Sequence, residues 1–136
     1  MATKEFSRIL EVNESITDKT GVIEANINEL KALADRFEVD EIKNLKAEYM
    51  ITKKSDIEGA YIFSCHLTAS VVKFVIEKNE ELFQIDDRFD VVLLDEDMAR
   101  NNYEQLKDFD IEIFDKNQQV DLGEIVAQYL SLCIFM

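Results

Sequence analysis

The first third of the chain has two short apolar runs followed by a helical pattern. We predict strands at Glu5–Val12 and Val22–Ala25. Asn26 then precedes a helix, and Glu29, three residues later, completes a capping box. Apolar residues recur in this helix at the i, i+3, i+4, i+7 spacing of one buried stripe: Leu30, Leu33, Ala34 and Phe37.

From Glu41 onward the hydrophobic period changes to two, which is typical of half-buried strands. The short connection Ser55–Gly59 separates the first two of these strands, and short hairpins imply antiparallel pairing. The predicted inward-facing residues fall in three groups: Leu45, Ala47, Tyr49 and Ile51; Tyr61, Phe63, Cys65, Leu67, Ala69 and Val71; and Phe83, Ile85, Phe89, Val91 and Leu93. A last strand is predicted at Phe109, Ile111 and Ile113.

The segment Val120–Cys133 indicates a strand end that passes into a capped amphipathic helix. Asp121 is placed to accept from the first-turn N–H groups, and Glu124 to reach back to the cap. Gly123 costs up to about 1 kcal/mol in a helix, so we expect close packing of a strand against it. The buried stripe of this helix is predicted to be Ile125, Val126, Tyr129, Leu130 and Cys133.

Together these elements predict an α+β fold. It would contain a mostly antiparallel sheet of five to six strands and two main helices, one after the first strands and one near residue 130. Residues 95–108 form the most polar stretch, and we predict a mobile acidic loop there, with a loose helix as the alternative.

Length and composition fit a single domain over residues 1–136. The chain is 47% apolar, and no run approaches the roughly 18 apolar residues of a membrane span. Cys65 and Cys133 are far apart, so we expect both to be reduced core residues of a soluble cytoplasmic protein.

The distribution of charge along the chain is the most informative part of the composition. Residues 1–76 have 10 basic and 13 acidic side chains, whereas residues 77–136 have 5 and 16, which together give the net charge of −14. Such a field repels phosphate and favours a basic protein partner, although an acidic surface also serves solubility alone. The alternative is direct RNA binding through a predicted strand with four lysines: Lys43, Lys46, Lys53 and Lys54.

No residue pattern indicates catalysis or a cofactor. His66 is the only histidine, and we expect it on the solvent face of a strand, without a nucleophile motif. Asp95, Glu96 and Asp97 lack the spacing of a calcium loop, and one histidine with two separated cysteines does not make a zinc site. The aromatic residues at strand spacing favour core packing over RNA stacking: Tyr61, Phe63, Phe83 and Phe89.

The chain as a whole resembles the YceD family, the large ribosomal RNA subunit accumulation proteins, in its alphaproteobacterial form. Five segments are similar to that family: EFSRIL (5–10), EANINELKALADRFEVDEIKNLKAEYMI (24–51), HLTASVVK (66–73), FDVVLLDED (89–97) and VDLGEIVAQYLSLC (120–133). Relatives often have a cysteine, sometimes a C-x-x-C, where this chain has Val75 and Lys78, so no metal or redox role follows from the resemblance.

The resemblance implies a non-enzymatic accessory factor in ribosome biogenesis, with no catalytic residue and no cofactor. Together with the acidic second half, this role favours a basic partner, either a ribosomal protein or an rRNA-processing enzyme, and the hydropathy predicts no membrane contact. The family-motif positions are Phe6, Ser7, Arg8, Asp121, Leu122, Gly123 and Glu124. We expect Asp121 and Glu124 to cap and Phe6 and Leu122 to pack, which leaves Arg8 as the one residue able to contact a partner.

Overall fold

The computed structural model describes residues 5–12, 18–75 and 79–135, without the side chains of residues 74, 75 and 79. The Lys78 position and the Val75 side chain therefore lie outside the described part. The described elements are β1 (Ile9–Glu11), β2 (Lys19–Glu24), α1 (Ile27–Phe37), β3 (Glu41–Lys53), β4 (Tyr61–Val75), β5 (Asn79–Leu94), α2 (Glu96–Asn101), α3 (Tyr103–Leu106), β6 (Ile111–Ile113), β7 (Gln119–Asp121) and α4 (Leu122–Phe135).

A five-stranded sheet in the order β2-β3-β4-β5-β6 forms the centre of the fold. Strands β2 to β5 are antiparallel neighbours, and the short connection between β3 and β4 predicted this direction for that pair. Strand β6 instead runs parallel to β5, because α2 and α3 lie between the two and return the chain in the same direction. Strands β1 and β7 form a separate antiparallel pair. The predicted α+β fold is confirmed.

The two faces of the main sheet have different surroundings. The inward residues of β4, including Phe63, Leu67 and Val71, are buried in one core with residues of α1 and α4. The opposite face, here called the open face, contains the next residues along each strand and is more polar. Its central cross-strand neighbours are Lys46, Glu48 and Met50 of β3, Ser64, His66 and Thr68 of β4, and Asp86, Arg88 and Asp90 of β5.

The capping box predicted for the first helix is confirmed. The side chain of Asn26 accepts from the Glu29 N–H at 2.9 Å, and the Glu29 carboxylate accepts from the Asn26 N–H at 3.0 Å. Helix α1 ends at Glu38, which adopts a left-handed conformation with φ of 57°. The predicted stripe is buried at Leu33, Ala34 and Phe37.

Two boundaries differ from the prediction. The first strand covers Ile9–Glu11 rather than Glu5–Val12, because its partner β7 is itself only three residues long. Residues 95–108 contain the short helices α2 and α3 rather than a loop, which is the helical alternative. Asp95 caps α2 by accepting from the Met98 N–H at 2.7 Å.

Helices α2 and α3 lie on a second, smaller hydrophobic cluster. Leu106 packs there with residues of the β3–β4 connection and of β5: Ile57, Ala60, Val92 and Leu94. Val92 follows Asp90 by two residues on β5, so this cluster lies at one end of the open face.

Candidate functional site

The seven family-motif positions lie together where the beginning of β1 crosses the beginning of α4, a region here called the Asp121 junction. Strands β1 and β7 are in register with Ile9 opposite Asp121, which brings positions more than 110 residues apart into contact. Phe6 is fully buried and Leu122 nearly so, as predicted for packing residues.

Asp121 is the polar centre of this junction and is 9% exposed. Its carboxylate accepts from the Arg8 N–H at 2.8 Å, the Ser7 hydroxyl at 2.8 Å and the Glu124 N–H at 3.2 Å. The first-turn bond confirms that Asp121 caps α4. The other two bonds attach the β1 segment to the same carboxylate.

Gly123 leaves room for the β1 segment. A Cβ atom at this position would collide with the carbonyl oxygen of Phe6 and lie 3.0 Å from the backbone nitrogen of Arg8. The Leu122 N–H also donates to the Arg8 carbonyl at 2.9 Å, which fixes the close approach. The predicted packing of a strand segment against Gly123 is therefore confirmed.

Arg8 is bound within the chain, so the expectation that it would be free for a partner is wrong. Its guanidinium donates to both Glu29 carboxylate oxygens, at 2.7 and 2.8 Å, and to the Glu24 carbonyl at 2.9 Å. It also lies over the Phe6 ring, 4.7 Å from the ring centroid. The bond between the two side chains is the largest cause that raises the pKa of Arg8 and lowers the pKa of Glu29.

Glu124 connects α4 to α1. Its two carboxylate oxygens accept from the Arg36 guanidinium at 2.9 Å each, and Arg36 also contacts Glu5 at 3.2 Å. The hydrogen bond to Glu124 is the main reason that the pKa of Arg36 is raised. The junction thus joins β1, α1 and α4. These contacts give its motif residues a structural role.

The four lysines proposed to contact RNA do not form one surface. Lys46 lies on the open face with its ammonium 3.5 Å from Glu48. The Lys54 side chain is 9% exposed, pairs with Asp56 at 2.9 Å and covers the Phe109 ring. Lys43 lines a depression beside α1 together with Asp35, Asp40 and Glu41, whereas Lys53 lines another beside the β3–β4 connection.

His66 lies half-buried on the open face, as predicted. Its Nε2 is 2.7 Å from a carboxylate oxygen of Asp86, a side chain that is 72% exposed. Its neighbours across the adjoining strands are Glu48 and Arg88. These charged groups form a surface network, and a shallow depression of about 750 Å³ beside it is open to solvent.

An acidic surface extends from the open face over α2 and α3. These helices cover Val92 and Leu94, which lie on the same face of β5 as Asp86 and Asp90, so the carboxylates of both regions share one side. The two cations of the helices are paired, Arg100 with Glu96 and Lys107 with Glu104. We define the acidic surface by its exposed carboxylates: Asp86, Asp90, Glu96, Asp97, Glu104, Asp108 and Asp110.

The structure also contains a feature that the sequence analysis missed, a free strand edge. Strand β5 has 16 residues, but β6 pairs only with Val92–Leu94. Among the described residues, no strand pairs with the remainder of β5 on that side. The lengths of the predicted strands before and after residues 95–108 were the available signal, since the last one is too short to cover its neighbour.

Asp87 folds over this edge. One carboxylate oxygen accepts from the Arg88 N–H at 2.9 Å, and the other accepts from the Tyr129 hydroxyl at 3.0 Å. Desolvation, together with this hydrogen bond, raises the pKa of Tyr129 to about 12. The Cys133 thiol lies 3.8 Å from the same carboxylate, and burial is the main cause of its raised pKa.

Both cysteines are free thiols, and burial raises the pKa of Cys65 to about 12. In the described ranges, no group of three or more His, Cys, Asp or Glu residues is arranged to hold a metal ion. No helix of the described part is long and apolar enough to cross a membrane.

The described residues define an α+β protein with an internally bonded junction, an acidic surface and a free strand edge on β5. Comparison with protein-family models, curated proteins and solved structures finds no match.

Proposed function

We propose that this chain is a non-enzymatic accessory factor in ribosome biogenesis, which supports accumulation or processing of large-subunit (23S-type) ribosomal RNA. It acts in the cytoplasm through contacts with a basic protein partner, a ribosomal protein or an rRNA-processing enzyme. The observation that supports this proposal best is the acidic surface over β5, α2 and α3. The ribosomal part of the proposal comes from the resemblance to the YceD family.

The charge of this surface favours protein over nucleic acid as the partner. Residues 77–136 have a net charge of −11, from 5 basic and 16 acidic side chains, and phosphate groups are repelled by such a field. Lysine-rich and arginine-rich segments are attracted by it, and the attraction increases their rate of encounter.

We propose a non-enzymatic role because structural contacts account for the family-motif residues. Asp121 caps α4, Arg8 is held by Glu29, and Gly123 allows close packing. His66 bonds a highly exposed carboxylate, where water screens the pair and weakens any effect on reactivity.

Depletion of the protein tests this function. In cells of origin with a repressible copy of the gene, the ratio of large-subunit to small-subunit ribosomal RNA should fall on depletion. Re-supply of the wild-type chain should restore it. An unchanged ratio together with normal ribosomal subunit profiles would rule the proposal out.

Direct RNA binding through Lys43, Lys46, Lys53 and Lys54 is the competing hypothesis. Titration with large-subunit RNA fragments at low salt tests it, because electrostatic attraction is strongest there. We expect no saturable binding, since these lysines lie apart and two are paired with carboxylates. Binding that is lost in the Lys43→Ala/Lys53→Ala double variant would favour RNA contact instead.

A further inference from the structure

Along the free edge of β5, the backbone groups that no described strand pairs follow a regular order. The Val92 N–H donates to the Asp110 carbonyl at 2.9 Å, and the Leu94 carbonyl accepts from Phe114 at 3.1 Å, so both residues point toward the β6 side. The N–H and C=O groups of one residue point to the same side of a strand, and they alternate along it.

The pairing of β4 with β5 has no register shift from Leu93 to Asn79. The even-numbered residues of β5 therefore continue to point their N–H and C=O groups at the free edge. The Arg88 N–H confirms this direction, since it is bonded by the Asp87 side chain and not by β4. The other edge-facing residues are Glu80, Leu82, Gln84, Asp86 and Asp90.

An apolar groove of about 230 Å³ runs beside this edge, between β5 and α4. Phe89 and Val91 contribute from the strand, and Tyr129 stacks on Phe89 with ring centroids 4.0 Å apart. Leu132 of α4 lines the groove and is 56% exposed. Asp110 and Glu112 also line it.

A strand added to this edge would have different surroundings on its two faces. Side chains on one face would enter the apolar groove, and those on the other would lie beside Asp86 and Asp90 of the open face. The pattern that fits both is an alternation of apolar and basic residues. Backbone bonds would supply affinity, and the alternate side chains would supply specificity.

Charge decides between the possible occupants. Strand β5 has five acidic residues and one basic residue, so a second copy of this chain would place two acidic edges against each other. A basic segment is attracted instead. Asp87 lies on the groove face beside Tyr129, and its carboxylate must leave the Arg88 N–H when a strand docks.

We propose that the free edge of β5 binds an extended basic segment of a partner protein, with alternating basic and apolar residues, as an added β-strand. This inference rests on the proposed function for the nature of the partner and adds the mode of binding.

A labelled peptide of sequence Lys-Val-Lys-Ile-Lys-Val-Lys serves as the probe, measured by fluorescence anisotropy. We expect saturable binding, with amide hydrogen exchange slowed at Leu82, Gln84, Asp86 and Asp90. An analogue N-methylated at both valines and at the two inner lysines keeps the charge and loses backbone donors to β5 whether the peptide docks parallel or antiparallel. It should bind roughly tenfold more weakly, since two lost hydrogen bonds of about 0.7 kcal/mol each correspond to that factor.

Two protein variants test the edge itself. Asp90→Pro removes an edge-facing N–H, a change that edge strands tolerate, and should weaken binding. Val22→Pro is the matched control on the opposite edge, where the neighbouring Glu24 carbonyl points away from β3 to Arg8, and should bind as the wild type does. Asp90→Lys leaves the backbone intact and should also weaken binding.

Three results would overturn the proposal: no binding, equal binding of the N-methylated peptide, or exchange protection on β2 in place of β5. An RNA fragment that protects the same β5 amides would also overturn it, because the edge would then be a nucleic-acid site. If depletion lowers large-subunit RNA but the peptide fails, the edge proposal falls while the proposed function stands.

Discussion

Asp121 is a buried carboxylate that serves as helix cap and as anchor for the β1 segment. Its oxygens accept hydrogen bonds from Ser7, Arg8 and Glu124. The cap was predictable, because a carboxylate three residues before a glutamate at a helix start is a local pattern. The bonds to Ser7 and Arg8 were not, because they join residues that only the tertiary fold brings together.

Asp121→Asn should destabilise the protein by about 2 kcal/mol. The amide nitrogen of asparagine cannot accept, so it faces backbone and hydroxyl donors that are left unsatisfied. Urea unfolding monitored by circular dichroism measures the change. Asp108→Asn on the acidic surface is the matched control and should stay within about 0.5 kcal/mol. Equal effects of the two variants would contradict the role of Asp121.

Gly123→Ala tests the close approach of Phe6 to α4. In an ordinary first turn this substitution is neutral or stabilising by up to about 1 kcal/mol. Here the added methyl group collides with the Phe6 carbonyl, so we expect destabilisation of about 2 kcal/mol, as in overpacked cores. Thermal unfolding gives the sign directly, and a raised melting temperature would exclude the clash.

The Arg8–Glu29 pair predicts a dependence of stability on pH. Because Arg8 lowers the pKa of Glu29 below 4.5, the stabilisation is present above that pH. It is lost as the pH falls through the folded-state value. Glu29→Gln should therefore cost about 1 kcal/mol at pH 7, and the difference from wild type should shrink in unfolding experiments below pH 4.5. A difference that is constant with pH would show that the charge of Glu29 is irrelevant.

Local sequence patterns determine some of the helices and strands but not how all of the strands pair. The period of two placed β3, β4 and β5, the capping box placed the start of α1, and the Asp121 cap placed the start of α4. Strand direction is not encoded in that period, so the parallel pairing of β6 could not be predicted. The free edge of β5 depends on the same pairing, and the short length of the last predicted strand was its one signal in the sequence.

Helices α2 and α3 depend on their own small cluster. Leu106→Ala should remove their main buried anchor, at a cost of about 2–3 kcal/mol. Because the cluster is separate from the main core, the loss should be local. Hydrogen exchange should accelerate in α2 and α3 and stay unchanged in α4. Acceleration across both regions would show that the chain has one cooperative core.

At the scale of the whole molecule, the charged residues form two distinct regions, the internally bonded Asp121 junction and the acidic surface. Sequence alone located the charge, since its excess lies in residues 77–136. It could not show that α2, α3 and the open face present carboxylates on the same side. That arrangement follows from the packing of α2 and α3 on Val92 and Leu94.

The central claim is that the acidic surface supports ribosomal RNA accumulation through a basic partner. Its most direct measurement is the ratio of large-subunit to small-subunit RNA in depleted cells supplied with variants. The test variant combines Glu96→Gln, Asp97→Asn, Glu104→Gln and Asp108→Asn, and the control neutralises four other exposed acids: Glu11, Glu38, Asp40 and Glu41. We expect the wild type and the control to restore the ratio and the test variant to leave it low. Full restoration by the test variant would contradict the account.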